Sequence, residues 1–259
     1  MTTPNLRVFG SCAWRPSAGN DSSWYLLDDQ ILIDTGWRGV TALIDAGLDA
    51  TQYPLQLFTH MHPDHRLALP QLMMYWRILR GTGGLDGLTL AGPAGELERC
   101  YRDAKAFLFS TSDERYVSDC ELLPLHDGDT RLLPGHILRA TASLHAVPGL
   151  SYRITNEATG RVICLSGDTA YQEKYADFFR GADLLVCECT KRDSEIPPER
   201  RAQIGHSSVH DAVRMAREAG VKRLLLTHST IQHERSLAIA RAALDIPVDF
   251  AEPGMVIEY

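Results

Sequence analysis

Short apolar runs alternate with longer amphipathic runs along the chain. In the first half, apolar runs bounded by turn residues predict strands at 6–9, 24–27, 30–33, 55–58 and 88–91. Asp28-Asp29 is predicted to turn the second and third of these into a hairpin. Helix-like runs fall at about 38–46, at 67–80 before the stretch Gly81-Thr82-Gly83-Gly84, and from Pro93 to about 108.

The middle of the chain is rich in predicted strands, and the last third alternates strands with helices. Strands are predicted at 122–123, 132–141, 151–155, 161–165, 183–187, 222–226 and 256–258, and helices at 171–179, 207–219 and 232–244. This arrangement predicts an α/β fold in which two sheets pack together with helices outside. No linker-like break divides the chain, so we expect one domain over residues 1–259.

The composition is that of an ordinary globular protein. Of the 259 residues, 44% are hydrophobic and 23% are charged, and the net charge is −7 with His neutral. This charge opposes passive attraction to nucleic acids unless a local basic patch reverses it. The cysteines form no CxxC pair, the first residues carry no signal-peptide pattern, and no apolar run reaches the length of a membrane span. We therefore expect a reduced, cytoplasmic protein that does not associate with membranes.

One heptapeptide, Thr59-His60-Met61-His62-Pro63-Asp64-His65, carries the strongest chemical signal. It lies between a predicted strand and a predicted helix, so its four metal-capable side chains crowd a single turn. Neutral imidazoles and a carboxylate suit zinc, iron or manganese, and a cation between them would satisfy all four. The heptapeptide therefore predicts a metal site.

Three further candidate ligands follow apolar runs downstream. His145, Asp168 and His228 each come just after a predicted strand, so strand ends could deliver them to one edge of the fold. Any one of them alone would more often be a loop or core residue, but the set in order favours a metal site. Four other histidines have no interpretable partner spacing and are predicted to be non-ligands: His126, His136, His210 and His233.

With these residues in place, the chain resembles the metallo-β-lactamase-fold hydrolases over nearly its whole length. Asp34-Thr35-Gly36 matches the aspartate-glycine turn of that family, and residues 60–65 match its metal signature. The resemblance implies a four-layer αββα sandwich that holds two divalent metal ions, zinc first and manganese or iron as alternatives. It assigns His60, His62 and His145 to one ion and Asp64, His65 and His228 to the other, with Asp168 bridging them.

Several motifs resemble the ribonuclease Z and phosphodiesterase branch of the family. Ser166-Gly167-Asp168-Thr169 matches its SGDT turn, and residues 183–190 resemble its DLLIHEAT strand. In that branch the histidine before Ser-Ser acts at the leaving group, which makes His206 in Gly205-His206-Ser207-Ser208 the general-acid candidate. The alternative is a helix-capping region in which Ser207 forms the cap and His206 is incidental.

Two carboxylates are candidates to support the site. Glu188 could orient His206, or it could be a buried carboxylate with satisfied hydrogen bonds. Asp34 could fix a ligand imidazole, or it could form a turn before Gly36. In the implied mechanism the two ions activate a water or hydroxide, Asp64 helps to orient or deprotonate it, and His206 protonates the leaving alkoxide.

The chain departs from ribonuclease Z in one respect that bears on the substrate. That enzyme carries a long arm that clamps tRNA, commonly between the ligands equivalent to His145 and Asp168, whereas residues 146–167 contain only two strand-like runs and a turn. The leading hypothesis is therefore a phosphodiesterase for a small or modest-sized ester, and tRNA is disfavoured as a partner. Alternatives are a lactone, carboxylic ester, thioester or sulfate-ester hydrolase on the same site, tRNA 3′ processing, and a non-catalytic binding protein. A homodimer is a common outcome for such folds.

Overall fold

Two β-sheets form the centre of the structure. The computed structural model describes residues 3–80, 87–109, 119–229 and 233–259. Within these residues the first sheet contains β1 (Asn5–Cys12), β2 (Asp21–Ser22), β3 (Trp24–Leu27), β4 (Ile31–Ile33), β5 (Leu55–Leu57), β6 (Thr89–Pro93), β7 (Glu121–Leu125) and β15 (Val256–Glu258). Their order is β15-β1-β3-β4-β5-β6-β7, with β2 paired to β1. The strands from β4 to β7 run parallel.

The second sheet is built from the second half of the chain. It contains β8 (Thr130–Leu133), β9 (His136–Ala142), β10 (Leu150–Asn156), β11 (Val162–Leu165), β12 (Leu184–Glu188), β13 (Leu224–Thr227) and β14 (Val248–Phe250). These strands lie in the order β14-β13-β12-β11-β10-β9-β8. The strands from β8 to β11 pair antiparallel, and those from β11 to β14 pair parallel.

Helices cover the outer face of each sheet. They are α1 (Val40–Asp45), α2 (Pro63–Arg66), α3 (Leu69–Arg80), α4 (Glu96–Leu108), α5 (Tyr175–Phe178), α6 (Arg201–Ile204), α7 (Val209–Ala219) and α8 (His233–Ala243), with short 3₁₀ turns at Ala50–Gln52, Asp193–Glu195 and Pro198–Arg200. Residues of α1, α3 and α4 share a buried cluster with the first sheet, and residues of α5, α7 and α8 share another with the second. The predicted αββα sandwich is confirmed.

Strand β3 shows how both faces of the first sheet are buried. Its side chains alternate between faces, so Tyr25 and Leu27 enter the core between the sheets while Trp24 and Leu26 enter the core under the helices. All four are buried, because each face of the strand is covered. Burying one such side chain contributes about 1.5–3 kcal/mol, which makes both faces of the sheet strongly stabilising.

Some predicted boundaries were wrong. The strand predicted at 132–141 is two strands, because Pro134-Gly135 forms a turn in which Gly135 takes a positive φ of 70°. Pro93 does not open a helix; it ends β6, and the helix starts at Glu96. The helix predicted at 171–179 is confined to Tyr175–Phe178.

Other sequence features fall outside the described residues or were missed. The glycine-rich helix stop at residues 81–84 and the predicted helix start at residue 232 lie outside the described residues. Strand β14 was missed, because three residues are too short to show an alternating pattern. Among the described residues, no helix combines the length and apolar composition needed to cross a membrane. All six cysteines are buried free thiols.

Candidate metal centre

The candidate ligands follow strands that end at a common edge of the sandwich. In the first sheet, Asp34 follows β4 and His60 follows β5, and these strands are parallel. In the second sheet, Asp168 follows β11 and His228 follows β13 across the parallel strand β12. Strand β9, which precedes His145, runs antiparallel to β10 and therefore in the same direction as β11. The site thus assembles where the two sheets meet.

The one-turn helix α2 presents two of the candidate ligands. His62 precedes it with extended backbone, and Pro63 occupies the first helical position, where its missing N–H is no loss. Asp64 and His65 then fall within the same turn and are buried. Ser22 Oγ donates to the Asp64 carbonyl oxygen at 2.6 Å, so strand β2 holds this turn in place.

One group of donors contains His60, His62, His145 and Asp168. His62 Nδ1 lies 2.9 Å from His145 Nε2 and 3.2 Å from His60 Nε2. Asp168 Oδ2 lies 3.6 Å from His60 Nε2 and 3.9 Å from His145 Nε2. Tetrahedral ligands at about 2.0–2.1 Å from zinc are about 3.3 Å apart, and these distances lie on both sides of that value. The group therefore fits one metal ion.

A second group of donors contains Asp64, His65 and His228. His65 Nε2 and His228 Nε2 are 3.1 Å apart, and Asp64 Oδ2 lies 3.4 Å from His228 Nε2 and 3.6 Å from His65 Nε2. Asp168 faces this group too, with Oδ2 3.4 Å from His228 Nε2 and Oδ1 3.7 Å from His65 Nε2. The carboxylate of Asp168 thus lies between the two groups, as the resemblance implied for a bridging ligand.

The outer ring nitrogens of four candidate ligand histidines have hydrogen-bond partners; these are His60, His65, His145 and His228. His65 Nδ1 donates to Asp34 Oδ2 at 2.8 Å, and His145 Nδ1 donates to the Gly205 carbonyl oxygen at 2.6 Å. Each bond leaves the Nε2 lone pair directed into the site, which is the arrangement that protein metal ligands commonly show.

Two threonine hydroxyls are the hydrogen-bond partners of the other two rings, those of His60 and His228. His60 Nδ1 lies 3.2 Å from Thr59 Oγ1, which donates to Asp34 Oδ2 at 2.9 Å. His228 Nδ1 lies 2.8 Å from Thr190 Oγ1. Both threonines were missed as functional residues. Thr59 is the first residue of the heptapeptide, so its position was the only signal for it. The Thr190 hydroxyl contacts His228, which is 38 residues further along the chain, so no local pattern indicated it.

The electrostatics of the site favour bound positive charge. Burial acts to raise the pKa of Asp168, but the surrounding imidazoles, with His228 and His65 foremost, hold it well below its usual range. Burial would lower the pKa of His65, yet the carboxylates of Asp34 and Asp168 raise it to about 10. Burial lowers the pKa of His60 well below its usual range, so this imidazole is a neutral donor. The carboxylates thus make the site strongly negative, which suits a divalent cation, and binding of a cation to His65 would release the proton that Asp34 and Asp168 stabilise there.

His206 lies beside both groups, at the start of α7. Its ring centroid is 4.8 Å from that of His145 and 6.0 Å from that of His228. Its Nδ1 lies 3.1 and 3.2 Å from the two carboxylate oxygens of Glu188. Burial acts to lower the pKa of His206, but Glu188 raises it to about 9. Glu188 therefore favours the protonated form of the ring.

The alternatives for these residues can now be compared with the contacts. Ser208, not Ser207, caps α7, and Ser207 Oγ donates to the Thr169 carbonyl oxygen. Glu188 contacts His206 and also accepts from the Thr169 N–H at 2.7 Å and from the Thr190 hydroxyl at 2.5 Å, so both interpretations of its burial apply. Asp34 likewise adopts a left-handed φ of 57° in its turn and still accepts from His65.

The other histidines that the structure describes lie away from these groups. His136 is buried and pairs with Asp28 Oδ2 at 2.8 Å. His210 is exposed and bonds Asp193, and His126 is exposed near Asp129. The side chain of His233 lies outside the described residues. The structure thus brings together every candidate site residue and leaves these histidines apart; the assembled set is Asp34, His60, His62, Asp64, His65, His145, Asp168, Glu188, His206 and His228.

Comparison with protein families gives one match over most of the chain. A model described as a beta-lactamase superfamily domain matches residues 29–229. That range runs from before Asp34 to just after His228 and so contains the whole donor set.

Two curated proteins match over nearly their full length. The chain is 25% identical to a ribonuclease Z of Myxococcus xanthus, with 100% of this chain and 98% of that protein covered. It is 31% identical to an uncharacterised protein of Mycobacterium leprae, with 98% and 88% covered. The ribonuclease Z alignment spans 313 positions against 259 residues here, so that relative contains insertions.

Solved structures show the same fold. The metallo-beta-lactamase fold protein YhfI of Bacillus subtilis superposes with a TM-score of 0.83 at 22% identity, covering 100% of both chains. The short form of human tRNase Z gives 0.74 at 22% identity and covers 98% of both. A diphosphatase from the PhnP family gives 0.70 at 18% identity, covering 100% of this chain and 98% of that one.

Proposed function

The chain belongs to the beta-lactamase superfamily and is a metallo-β-lactamase-fold hydrolase, and we propose that it is a metal-dependent phosphodiesterase. The observation that carries the proposal is the position of His206, whose Nδ1 is held by Glu188 beside two groups of metal donors. An alkoxide is a poor leaving group and needs a proton from such an acid. Relatives named ribonuclease Z and diphosphatase support a phosphate ester as the substrate.

We propose two divalent ions, each held by one donor group. His60, His62 and His145 would hold the first, Asp64, His65 and His228 the second, and Asp168 would bridge them. Zinc suits this set best, and manganese or iron would also be accepted. When bound, such ions lower the pKa of a water molecule toward neutrality and polarise the phosphoryl oxygen. Elemental analysis of protein purified without added metal should find two ions per chain.

The residues of the chain would divide the remaining tasks. Asp34 holds the tautomer of His65, and the Gly205 carbonyl holds that of His145, so both rings stay oriented. Asp64 would orient or deprotonate the attacking water. His206 would give its proton to the leaving oxygen as the P–O bond breaks, and Glu188 would stabilise and orient the imidazolium.

Activity assays separate this proposal from its alternatives. Bis-p-nitrophenyl phosphate should be hydrolysed by the metal-loaded protein, and lactones, carboxylic esters, thioesters and sulfate esters should be poor substrates. No phosphodiester cleavage together with a good rate on any of the other panels would reject the proposal. Full biological function of an Asp64→Ala variant would instead indicate a non-catalytic binding protein.

Transfer-RNA 3′ processing is a second candidate, because relatives carry the names ribonuclease Z and tRNase Z. Against it, residues 146–167 are described throughout and form a loop, β10, a tight turn and β11, with no projecting arm. A precursor tRNA with a 3′ trailer tests the point. Accurate removal of the trailer at a rate above that for bis-p-nitrophenyl phosphate would favour tRNA as the substrate.

The domain organisation can be tested separately. We propose that residues 1–259 form one domain, because both sheets contribute candidate ligands to a single site. Urea unfolding followed by tryptophan fluorescence and by far-UV circular dichroism should give coincident transitions. Two separate transitions would contradict a single domain.

A further inference from the structure

A cationic cavity opens beside His206. It has a volume of about 500 Å³ and is lined by Lys191, Glu195, Arg200, Gln203, Ile204 and His206. A second cavity of about 500 Å³ shares Lys191 and also contains Arg192 and Arg235 together with one acidic residue, Asp193. The chain as a whole carries a net charge of −7, so this concentration of basic side chains runs against the overall charge. It is the kind of local basic patch that attracts an anion.

The two basic residues nearest His206 are attached to segments that also hold the candidate ligands. Lys191 follows Thr190, whose hydroxyl contacts the His228 ring, and the Lys191 N–H donates to the Ser207 carbonyl at 3.1 Å. Arg200 precedes α6, which ends at Gly205, the residue whose carbonyl accepts from His145. The cavity is therefore fixed in position relative to the metal donors.

The positive charges in this cavity have no carboxylate partner among the described residues. Arg201 pairs with Asp211, but Lys191 and Arg200 take part in none of the ion pairs that the described residues form. Glu195 lines the cavity, yet one of its oxygens accepts from the Arg192 N–H at 2.9 Å. Arg200 Nε donates to the neutral Gln203 side chain at 3.3 Å. Both charges thus remain available to a ligand.

We infer that this cavity binds a second phosphate group of the substrate, carried on the part that leaves. The inference rests on the proposed phosphodiesterase function. Water supplies the oxygen of the new P–O bond. The bond between phosphorus and the leaving oxygen breaks, and the leaving oxygen takes the proton of His206. The leaving group must therefore lie against His206, at the mouth of the cavity. A guanidinium and an ammonium together suit a phosphate dianion.

Three dinucleotides test the inference. The kcat/KM of dithymidine monophosphate is compared with that of the same dinucleotide carrying an added 5′-phosphate and with that of the dinucleotide carrying an added 3′-phosphate. Chromatography of the products identifies which nucleoside is expelled. The compound with its added phosphate on that nucleoside should have a kcat/KM at least about 10-fold higher than the unphosphorylated dinucleotide, as expected for charged hydrogen bonds. The other added phosphate should give no such gain.

Charge-removing variants identify the residues responsible. Lys191→Ala/Arg200→Ala should abolish the gain, so that all three dinucleotides have the same kcat/KM when they are compared on this variant. Arg180→Ala/Lys222→Ala removes one arginine and one lysine whose side chains are exposed and ion-paired elsewhere, and this variant should retain the gain. Thermal melting checks that both variants fold. Equal kcat/KM for the three compounds in the wild type, or a gain that survives in the first variant, would overturn the inference.

A binding measurement distinguishes failure of this inference from failure of the proposed function. If neither the dinucleotides nor bis-p-nitrophenyl phosphate is cleaved, the phosphodiesterase proposal is wrong, but calorimetry with thymidine 5′-monophosphate on metal-free protein still tests the cavity. Affinity at least about 10-fold weaker in Lys191→Ala/Arg200→Ala than in the wild type would support an anion site. Equal affinity, or no binding to the wild type, would reject it.

Discussion

Replacing His206 with Ala should slow hydrolysis in a way that depends on the leaving group. The ring lies 4.8 and 6.0 Å from two candidate ligand rings and is held by both oxygens of Glu188, so it is placed to protonate an ester bound between the donor groups. A positioned general acid contributes about 10²- to 10⁴-fold, equivalent to about 3–5 kcal/mol of barrier. We expect that full loss for an alkyl diester.

A p-nitrophenyl ester should respond much less, because its phenolate leaves without a proton. The assay therefore compares kcat/KM for bis-p-nitrophenyl phosphate and for an alkyl phosphodiester in the wild type and in His206→Ala, with a loss below about 10-fold expected for the former. His210→Ala is the matched control: it removes an exposed histidine from α7, outside the donor groups, and both substrates should be unaffected.

Metal content decides how the result is interpreted. Asp168, His206 and His228 themselves form a group that could hold an ion. If His206→Ala contains as much metal as the wild type and loses activity selectively on the alkyl diester, the ring acts as an acid. An equal loss on both substrates would refute that role, and an equal loss accompanied by loss of metal would make His206 a ligand.

Three further predictions concern two residues around the site, Asp34 and Gly205, and the contact between the sheets at Asp28 and His136. Asp34→Asn keeps a residue that tolerates the left-handed φ of 57° but removes the charged acceptor, so metal affinity in a chelator competition should fall about 10- to 100-fold; unchanged affinity would contradict this. Gly205→Ala should lower the free energy of unfolding in urea by more than the roughly 1–2 kcal/mol expected for Gly181→Ala. Both glycines have a positive φ, but of these two only Gly205 would place a Cβ against backbone, at 2.9 Å from His145 Cα. Equal losses in the two variants would contradict the clash. Asp28→Asn should cost most stability between about pH 4 and 6.5. Burial opposes the charges of Asp28 and His136, yet the hydrogen bond between them lowers the pKa of Asp28 and raises that of His136. The stability that this pair contributes is therefore lost as the pH falls through the folded-state pKa of Asp28 or rises through that of His136. A difference in urea midpoint between wild type and variant that does not change with pH would contradict this.

The donor set could be predicted because its chemistry is concentrated in a few recognisable positions. Four candidate ligand side chains within residues 60–65 have no good explanation in a packed core, and His145, Asp168 and His228 each follow a clear apolar run. Parallel strands then bring their carboxyl ends together whatever the length of the connections between them. The fold class followed from the same alternation of strands and helices.

The supporting contacts could not be predicted, because they join residues that no local pattern connects. The His145 ring bonds the carbonyl of Gly205, sixty residues further on, and any residue type supplies a carbonyl. The Thr190 hydroxyl meets His228 only because β12 and β13 are neighbours in register. The cavity beside His206 was hidden for the same reason, because the segment from Lys191 to Arg200 contains two 3₁₀ turns, the second ending at Arg200, whose path the sequence does not determine.

The division of ligands between the sheets has a consequence for stability. His60, His62, Asp64 and His65 come from the first sheet, whereas His145, Asp168 and His228 come from the second. Neither half alone offers a complete set of donors, so metal binding requires the sheets to be packed together. A ligand that binds only the folded state at 1,000 times its Kd stabilises that state by about 4 kcal/mol. Chelation should therefore lower the urea midpoint of the whole sandwich, and a loss of activity without any such shift would mean that the two sheets hold the donor set together without help from the metal.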